Sequence, residues 1–152
     1  MEKIAIASDH AGFRLKEKLG RYLKAKGFLV EDLGTYSQKR CDYPKYAALL
    51  AEGVARGVYP RGILICMTGI GNSIVANRFA GVRASLCTSV KQARLTRQHN
   101  DSNVLVLGAA FVTVRKAKKI LDVWLKTEFQ GGRHRRRLNQ IKDIEKIGVS
   151  LC

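Results

Sequence analysis

The stretch ILICMTGIGNS, residues 63–73, joins a short apolar run to a glycine-rich turn. The run is rich in isoleucine and leucine, is typical of a buried strand, and ends in a single cysteine, Cys66. Asn72 and Ser73 are good helix-capping residues, so we expect a helix to begin there and to end at Gly81. The stretch therefore predicts a strand, a tight turn and a helix, which is the repeating unit of an α/β fold.

The same alternation covers the rest of the chain. Strands are predicted over residues 3–8, 28–34, 62–66, 82–87 and 103–108, with helices around residues 15–26, 43–57, 72–81, 89–98 and 114–124. A last helix is expected after the GGRHRRR run, with Leu138, Ile141 and Ile144 facing inward. These elements predict a single α/β domain over residues 1–152. We expect a three-layer Rossmann-like fold with a five-stranded parallel sheet, order 2-1-3-4-5, and an extra C-terminal helix.

Composition limits the class of protein. With 152 residues and 46% hydrophobic content, the chain can bury one core, and no apolar run reaches the length of a membrane span. The four cysteines, Cys41, Cys66, Cys87 and Cys152, show no CxxC spacing, so reduced thiols in a cytoplasm are expected. A net charge of +16 favours anionic partners, either phosphorylated metabolites or nucleic acid.

Several chemically capable residues should meet at one edge of the sheet. Asp9 and His10 follow the first strand, and Cys66–Gly71 follow the third. Carboxyl ends of neighbouring parallel strands form the ligand crevice of such folds. The glycine turn matches neither a dinucleotide fingerprint nor a Walker A loop, so its free N–H groups favour an anion or a developing oxyanion. Taken alone, Cys66 could equally be a buried structural cysteine.

Two other stretches carry candidate residues. His99, in RQHNDSNVLVLG, could be a polar loop histidine or a catalytic one. The run GGRHRRR, residues 131–137, could be a solvated face or a nucleic-acid patch. However, Arg133 and Arg137 lie four residues apart and share a helix face, which suits a phosphate.

Taken together, the motifs resemble the ribose-5-phosphate isomerase B group, which includes relatives acting on allose 6-phosphate and galactose 6-phosphate. The motifs are SDHAG (8–12), DYP (42–44), CMTGIG (66–71), NRF and GVRA (77–84), HND, S and NVL (99–105) and GGRH (131–134). The resemblance implies a cofactor-free aldose–ketose isomerase that works as a homodimer or a dimer of dimers with shared active sites.

The resemblance also implies residue roles. Cys66 matches the base that moves the proton between C2 and C1, and His99, with Asp9, matches the ring-opening acid and base. Thr68 and the backbone of Gly69–Gly71 match the groups that hold the enediolate. The residues expected to bind substrate are Asp9, His10, Tyr43, Met67, Thr68, Gly69, Ile70, Gly71, Asn100, Arg133 and Arg137.

Two positions depart from the family pattern. Met67 stands where the family usually has glycine, so either a strained loop or a reshaped pocket is expected. Ala110 stands where the family commonly has an arginine of the phosphate site, so one phosphate ligand is expected to be missing.

The favoured reaction is D-ribose 5-phosphate to D-ribulose 5-phosphate. The alternatives are a hexose-6-phosphate or rare-sugar isomerase and, more remotely, a basic nucleic-acid-binding protein on the same scaffold. Nucleic acid is not the favoured partner, because the sequence has no RNP-type motif, zinc spacing or recognition helix. Cys66 and His99 are expected at opposite ends of the sheet, so either His99 is structural or a second subunit delivers it, and the resemblance favours delivery by a second subunit.

Overall fold

The computed structural model describes residues 1–150 and places them around one parallel sheet. Cys152, one of the four cysteines expected to be reduced, lies outside the described residues. The elements follow in the order β1 Lys3–Ser8, α1 Phe13–Ala25, β2 Leu29–Asp32, α2 Tyr43–Ala55, β3 Arg61–Cys66, α3 Ile70–Ala76, β4 Ala84–Leu86, α4 Val90–Asn100, β5 Val104–Gly108, α5 Val114–Lys126 and α6 Arg133–Ser150. The predicted alternation of strands and helices, the parallel sheet and the extra C-terminal helix are confirmed.

The strand order is β2-β1-β3-β5-β4, so the expected order 2-1-3-4-5 is wrong at its last two strands. β5 is buried along its whole length, whereas β4 has three half-buried residues. A strand that is apolar on both faces gains most from a central position, and a short, partly polar strand suits an edge. The neighbourhood of β1 and β3 is unaffected, so the crevice between their carboxyl ends remains where the sequence placed it.

The helices cover the two faces of the sheet as two layers. α1, α4 and α5 pack on one face through Leu19, Ala93 and Trp124, all fully buried. α2 and α3 pack on the other through Leu50 and Ala76. Since every strand of β1, β3 and β5 is covered on both faces, the sheet forms a rigid platform for the loops at its carboxyl edge.

α3 begins earlier than predicted and ends earlier as well. It runs over Ile70–Ala76, preceded by Gly69 in the left-handed conformation at φ 79°. Ser73, expected as a cap, instead lies inside the helix, where its hydroxyl donates to the Ile70 carbonyl at 2.8 Å. Asn72, the other expected cap, is 1% exposed. The first turn of α3 is therefore formed by the glycine loop itself, which brings its backbone N–H groups next to Cys66.

α6 starts within the arginine run and lies against the end of α4 and the loop before β4. Leu138 is buried as predicted, but Ile141 is 42% and Ile144 66% exposed, so their inward placement is wrong for the single chain. Both side chains line an open hollow together with Val82 and Asn100. No helix among residues 1–150 is both long and apolar enough to traverse a bilayer.

Candidate active site

A cavity of about 440 Å³ opens at the carboxyl ends of β1 and β3. Seven of the residues expected at the site line it together with Ile74: Asp9, Tyr43, Cys66, Met67, Thr68, Ile70 and Gly71. Gly69 lies in the same loop. The cavity thus brings together a carboxylate, a thiol, two hydroxyl groups and the N-terminus of α3.

The glycine loop folds back over the thiol of Cys66. Its Sγ, buried at the end of β3, accepts a hydrogen bond from the Gly69 N–H at 3.2 Å. The Thr68 hydroxyl accepts one from the Ile70 N–H, also at 3.2 Å. Gly69 has a φ of 79°, which L side chains rarely adopt, and a Cβ there would meet the end of the Leu86 side chain and lie 3.2 Å from the Gly108 backbone nitrogen. The loop thus holds one backbone donor on the sulfur atom and the Thr68 hydroxyl beside it, where a base and a developing oxyanion would lie together.

Asp9 is fixed by the turn between β1 and α1. Its Oδ1 accepts the Gly12 N–H at 2.9 Å, and its own N–H donates to the Ile65 carbonyl at 3.3 Å. Asp9 is only 7% exposed. A carboxylate held by backbone just after β1, the strand next to the one that ends in Cys66, can accept a proton from, or orient, a sugar hydroxyl in the cavity.

Tyr43 begins α2 and packs on the first turn of α3. A Cβ on Gly71 would lie 2.7 Å or less from three atoms of the Tyr43 ring and hydroxyl. Only glycine allows this approach, and it places the phenol at the cavity wall. The sequence predicted Tyr43 as a sugar contact, and the geometry puts it where such a contact is possible.

His10 is half-buried beside the cavity and does not line it. Its Nδ1 lies 3.2 Å from the Cys41 backbone N–H and 3.1 Å from the Cys41 carbonyl. In the tautomer whose Nδ1 accepts from Cys41, Nε2 carries the hydrogen and is the available donor. Such a donor suits an anionic group at the cavity mouth.

The two departures from the family pattern lie next to each other. The Ala110 N–H donates to the Met67 carbonyl at 2.9 Å. Asp101 is the one non-glycine residue with positive φ in the described chain, so Met67 adopts an ordinary backbone conformation. Its side chain is 58% exposed at the cavity wall. The expectation of a strained loop at Met67 is therefore wrong, and the expectation of a reshaped pocket stays a prediction.

The remaining expected residues form a second cluster at the amino ends of the strands. His99 lies in the last turn of α4 and stacks on His134 of α6, with ring centroids 4.2 Å apart and planes at 12°. Arg133 and Arg137 flank His134 and are exposed. Burial, followed by the positive charges of His99, Arg133 and Arg137, lowers the pKa of His134 below its ordinary 6.5. The cluster is strongly cationic and suits a dianionic phosphate.

The two clusters do not meet within one chain. In the sheet Cys66 pairs with Gly108, whereas Gly62 pairs with Val104, just after His99. This length of strand spans about 13 Å, and His99 lies beyond its far end. Asn100 is also at that end, beside β4 and α6. The predicted separation of Cys66 from His99 is confirmed.

Two residues of these clusters, His134 and Ile74, were not predicted as site residues. Ile74 is an exposed apolar side chain at the cavity rim, one helical turn after Ile70, and this spacing was visible in the sequence. The stacking of His134 on His99 depends on how α6 meets α4. Nothing in the local sequence indicates that contact.

Comparison with known proteins places the chain in a family. A family model described as Ribose/Galactose Isomerase matches residues 4–141. Ribose-5-phosphate isomerase B of Escherichia coli strain K12 is 49% identical over 146 residues, which are 96% of this chain and 98% of that protein. The chain therefore belongs to the ribose/galactose isomerase family, as the motifs indicated.

Solved structures agree with the fold. A structure of ribose-5-phosphate isomerase B from Clostridium thermocellum superposes with a TM-score of 0.93 at 48% identity, covering 95% of this chain and 97% of that one. The Mycoplasma genitalium enzyme with bound ribulose-5-phosphate gives a TM-score of 0.91 at 46% identity, covering 95% and 96%.

Proposed function

We propose that this protein is an aldose–ketose isomerase that interconverts D-ribose 5-phosphate and D-ribulose 5-phosphate. The observation that carries the proposal is the cavity in which Cys66, Thr68 and Asp9 converge under the N-terminus of α3. The family membership and the relative with bound ribulose-5-phosphate support a pentose phosphate as substrate. In this proposal residues 1–152 form one isomerase domain, and the protein works in the cytoplasm.

The reaction needs one base that serves two carbon atoms. In the proposed mechanism the Cys66 thiolate removes the proton from C2 of the open-chain aldose, and the C2–H electrons form the C1–C2 double bond of an enediolate. The Cys66 thiol, whose proton can exchange with solvent at this stage, then donates a proton to C1, while the hydroxyl proton of C2 moves to the oxygen of C1. The Thr68 hydroxyl and the N–H groups of the Gly69–Gly71 turn stabilise the negative oxygen. For this the Gly69 and Ile70 N–H groups leave their present acceptors, Cys66 Sγ and Thr68 Oγ1.

Ring opening and phosphate binding are assigned to residues of both clusters. His99, with Asp9, moves the proton that opens the furanose ring, and His10, Arg133 and Arg137 bind the phosphate. Asn100 and Tyr43 contact the sugar. Because His99 and the two arginines lie at the opposite sheet edge from Cys66, these roles require a second subunit.

A homodimer, or a dimer of dimers, is therefore part of the proposal. Exposed apolar side chains surround both half-sites: Met67, Ile70 and Ile74 at the cavity, and Ile141, Ile144 and Ile147 on α6. Burying them between subunits would supply the driving force that a stable dimer needs. The same contact would bring the cationic cluster of one chain to the thiol cavity of the other.

The test is to compare Cys66→Ala with Cys87→Ala. Cys87 is the matched control, because burial raises its pKa to about 12 and it lines a different hollow. We expect Cys66→Ala to lose roughly 10²–10⁴-fold or more in kcat with substrate affinity within a few-fold, and to stop exchange of the C2 hydrogen with solvent. Cys87→Ala should keep its turnover. Retained exchange in Cys66→Ala would assign the base to another group.

A panel of pentose and hexose phosphates, assayed with the wild-type protein, tests the substrate. We expect ribose 5-phosphate to give the highest kcat/KM. A higher kcat/KM for allose 6-phosphate, galactose 6-phosphate or an unphosphorylated sugar would agree with the isomerase chemistry but would mean that ribose 5-phosphate is not the preferred substrate.

A further inference from the structure

The two helical layers of the fold differ in charge. The layer formed by α1, α4 and α5 contains thirteen lysines and arginines and two acidic residues, a difference of +11. The layer formed by α2 and α3 contains one basic residue, Lys45, and one acidic residue, Glu52. Most of the chain's net charge of +16 therefore lies on one side of the molecule. The cavity around Cys66 does not include any of these thirteen residues.

Most of these cations are exposed and unpaired. Lys16 is buried against Asp32, Arg97 pairs with Asp101, and Lys118 lies over the Tyr22 ring. The other ten are exposed, and none forms an ion pair with a carboxylate of residues 1–148. We call these ten residues the basic face: Arg14, Lys18, Arg21, Lys24, Lys91, Arg94, Arg115, Lys116, Lys119 and Lys126.

The arrangement of the basic face works against the stability of its own helices. Arg14 and Lys18 lie four residues apart on α1, and Lys91 and Arg94 lie three apart on α4. Like charges at these spacings repel each other across one helix turn. A solvated surface normally mixes both signs, so a face with this repulsion is best explained by an anionic partner that removes it.

We propose that the basic face binds nucleic acid through its phosphate backbone, without reading its sequence. Helices of 11 to 13 residues are about 20 Å long, and three helices packed side by side span about the same width. Duplex DNA carries one charge per ~1.7 Å, so 20 Å of duplex carries roughly 12 phosphate charges. The face matches such a segment in both length and charge.

The surface chemistry favours nucleic acid over a membrane. Leu95 is the one large apolar side chain of α1, α4 and α5 that is exposed in the described chain. Surface binding to lipid normally combines basic residues with apolar side chains that enter the acyl region. Arginines, which form two hydrogen bonds to a phosphate, are spread over all three helices.

The experiment compares two triple variants that lose the same charge. The face variant is Lys18→Gln, Lys91→Gln and Lys119→Gln, with one change per helix. The matched control is Lys39→Gln, Lys45→Gln and Arg56→Gln, three exposed cations outside the basic face. None of the six residues belongs to the proposed isomerase site, so both variants should keep wild-type isomerase turnover, which also verifies their folding.

Binding is measured by fluorescence anisotropy of a labelled DNA duplex of about 20 base pairs, over a series of salt concentrations. We expect wild-type affinity to fall steeply with salt, the face variant to bind at least about tenfold more weakly with a shallower salt dependence, and the control to stay within about twofold. Equal losses in both variants, or no binding of the duplex by the wild type at low salt, would refute the proposal. Binding to phosphatidylserine vesicles without binding to the duplex would also refute it and would indicate a membrane surface.

Discussion

Mixing two inactive variants should restore activity if each site is shared between subunits. In the proposed dimer, one site takes Cys66 from one chain and His99 from the other. A heterodimer of Cys66→Ala and His99→Ala then has one site that lacks both groups and one site that lacks neither. The restored site is formed from the unaltered Cys66 of the His99→Ala chain and the unaltered His99 of the Cys66→Ala chain.

The fraction of activity that the mixture should recover follows from subunit statistics. With equal amounts and free exchange, about half of the dimers are mixed and each has one of two sites intact, which gives about a quarter of wild-type activity. The assay is ribulose formation before and after the variants are mixed and allowed to exchange. Exchange itself is verified by mass spectrometry of differently tagged chains.

A second mixture provides the control. Cys66 and Asp9 line the same cavity of one chain, so Cys66→Ala mixed with Asp9→Ala leaves every site damaged and should restore nothing. Recovery in both mixtures would point to an effect other than shared sites. Absence of recovery in the first mixture, with exchange verified, would mean that each site is formed within one chain, contrary to the proposed dimer.

Three further outcomes are expected. Ala110→Arg should lower KM about tenfold for phosphorylated substrates and leave unphosphorylated sugars unchanged, since it adds one charged hydrogen bond to the phosphate; steady-state kinetics on both kinds of sugar would measure this. Gly69→Ala should destabilise the fold by roughly 1–3 kcal/mol in urea unfolding and inactivate it, because of its φ of 79° and the clash with Leu86, whereas Gly20→Ala, with open space around it, should do neither. His134 has a lowered folded-state pKa, so the unfolded chain takes up the proton first. The contribution of His134 to the free energy of unfolding should therefore be complete above about pH 6.5 and decrease as the pH falls below it. His134→Gln should flatten that part of a curve of Tm against pH.

Local sequence patterns predicted the elements of the fold well, because β-branched runs and helical periodicity report directly on burial. The order of β4 and β5 could not be read from connection rules alone, since a right-handed crossover can place either strand next to β3. The relative burial of VLVLG and ASL decides it. The exposed stripe of Ile141 and Ile144 has a different cause, because periodicity predicts an apolar face and does not say whether the same chain covers it.

The two halves of the site differed in how far they could be predicted. Asp9 and Cys66 end neighbouring strands, so topology alone brings them to one cavity. His99 and Arg133 come together through the packing of α6 on α4, which is a tertiary contact between distant segments. Their meeting with the cavity depends on a second chain, and no pattern within one sequence specifies the geometry of that contact.

Met67 and Ala110, which stood in the sequence as two separate departures from the family pattern, are neighbours joined by a backbone hydrogen bond. Met67 is a long exposed side chain at the cavity wall, and Ala110 is hydrogen-bonded to its backbone. Side chains at the two positions therefore face neighbouring parts of the same region. Because the two positions share one region, the kinetic effect of Ala110→Arg should depend on whether residue 67 is methionine or glycine. A double-mutant cycle over Ala110→Arg and Met67→Gly measures that coupling directly.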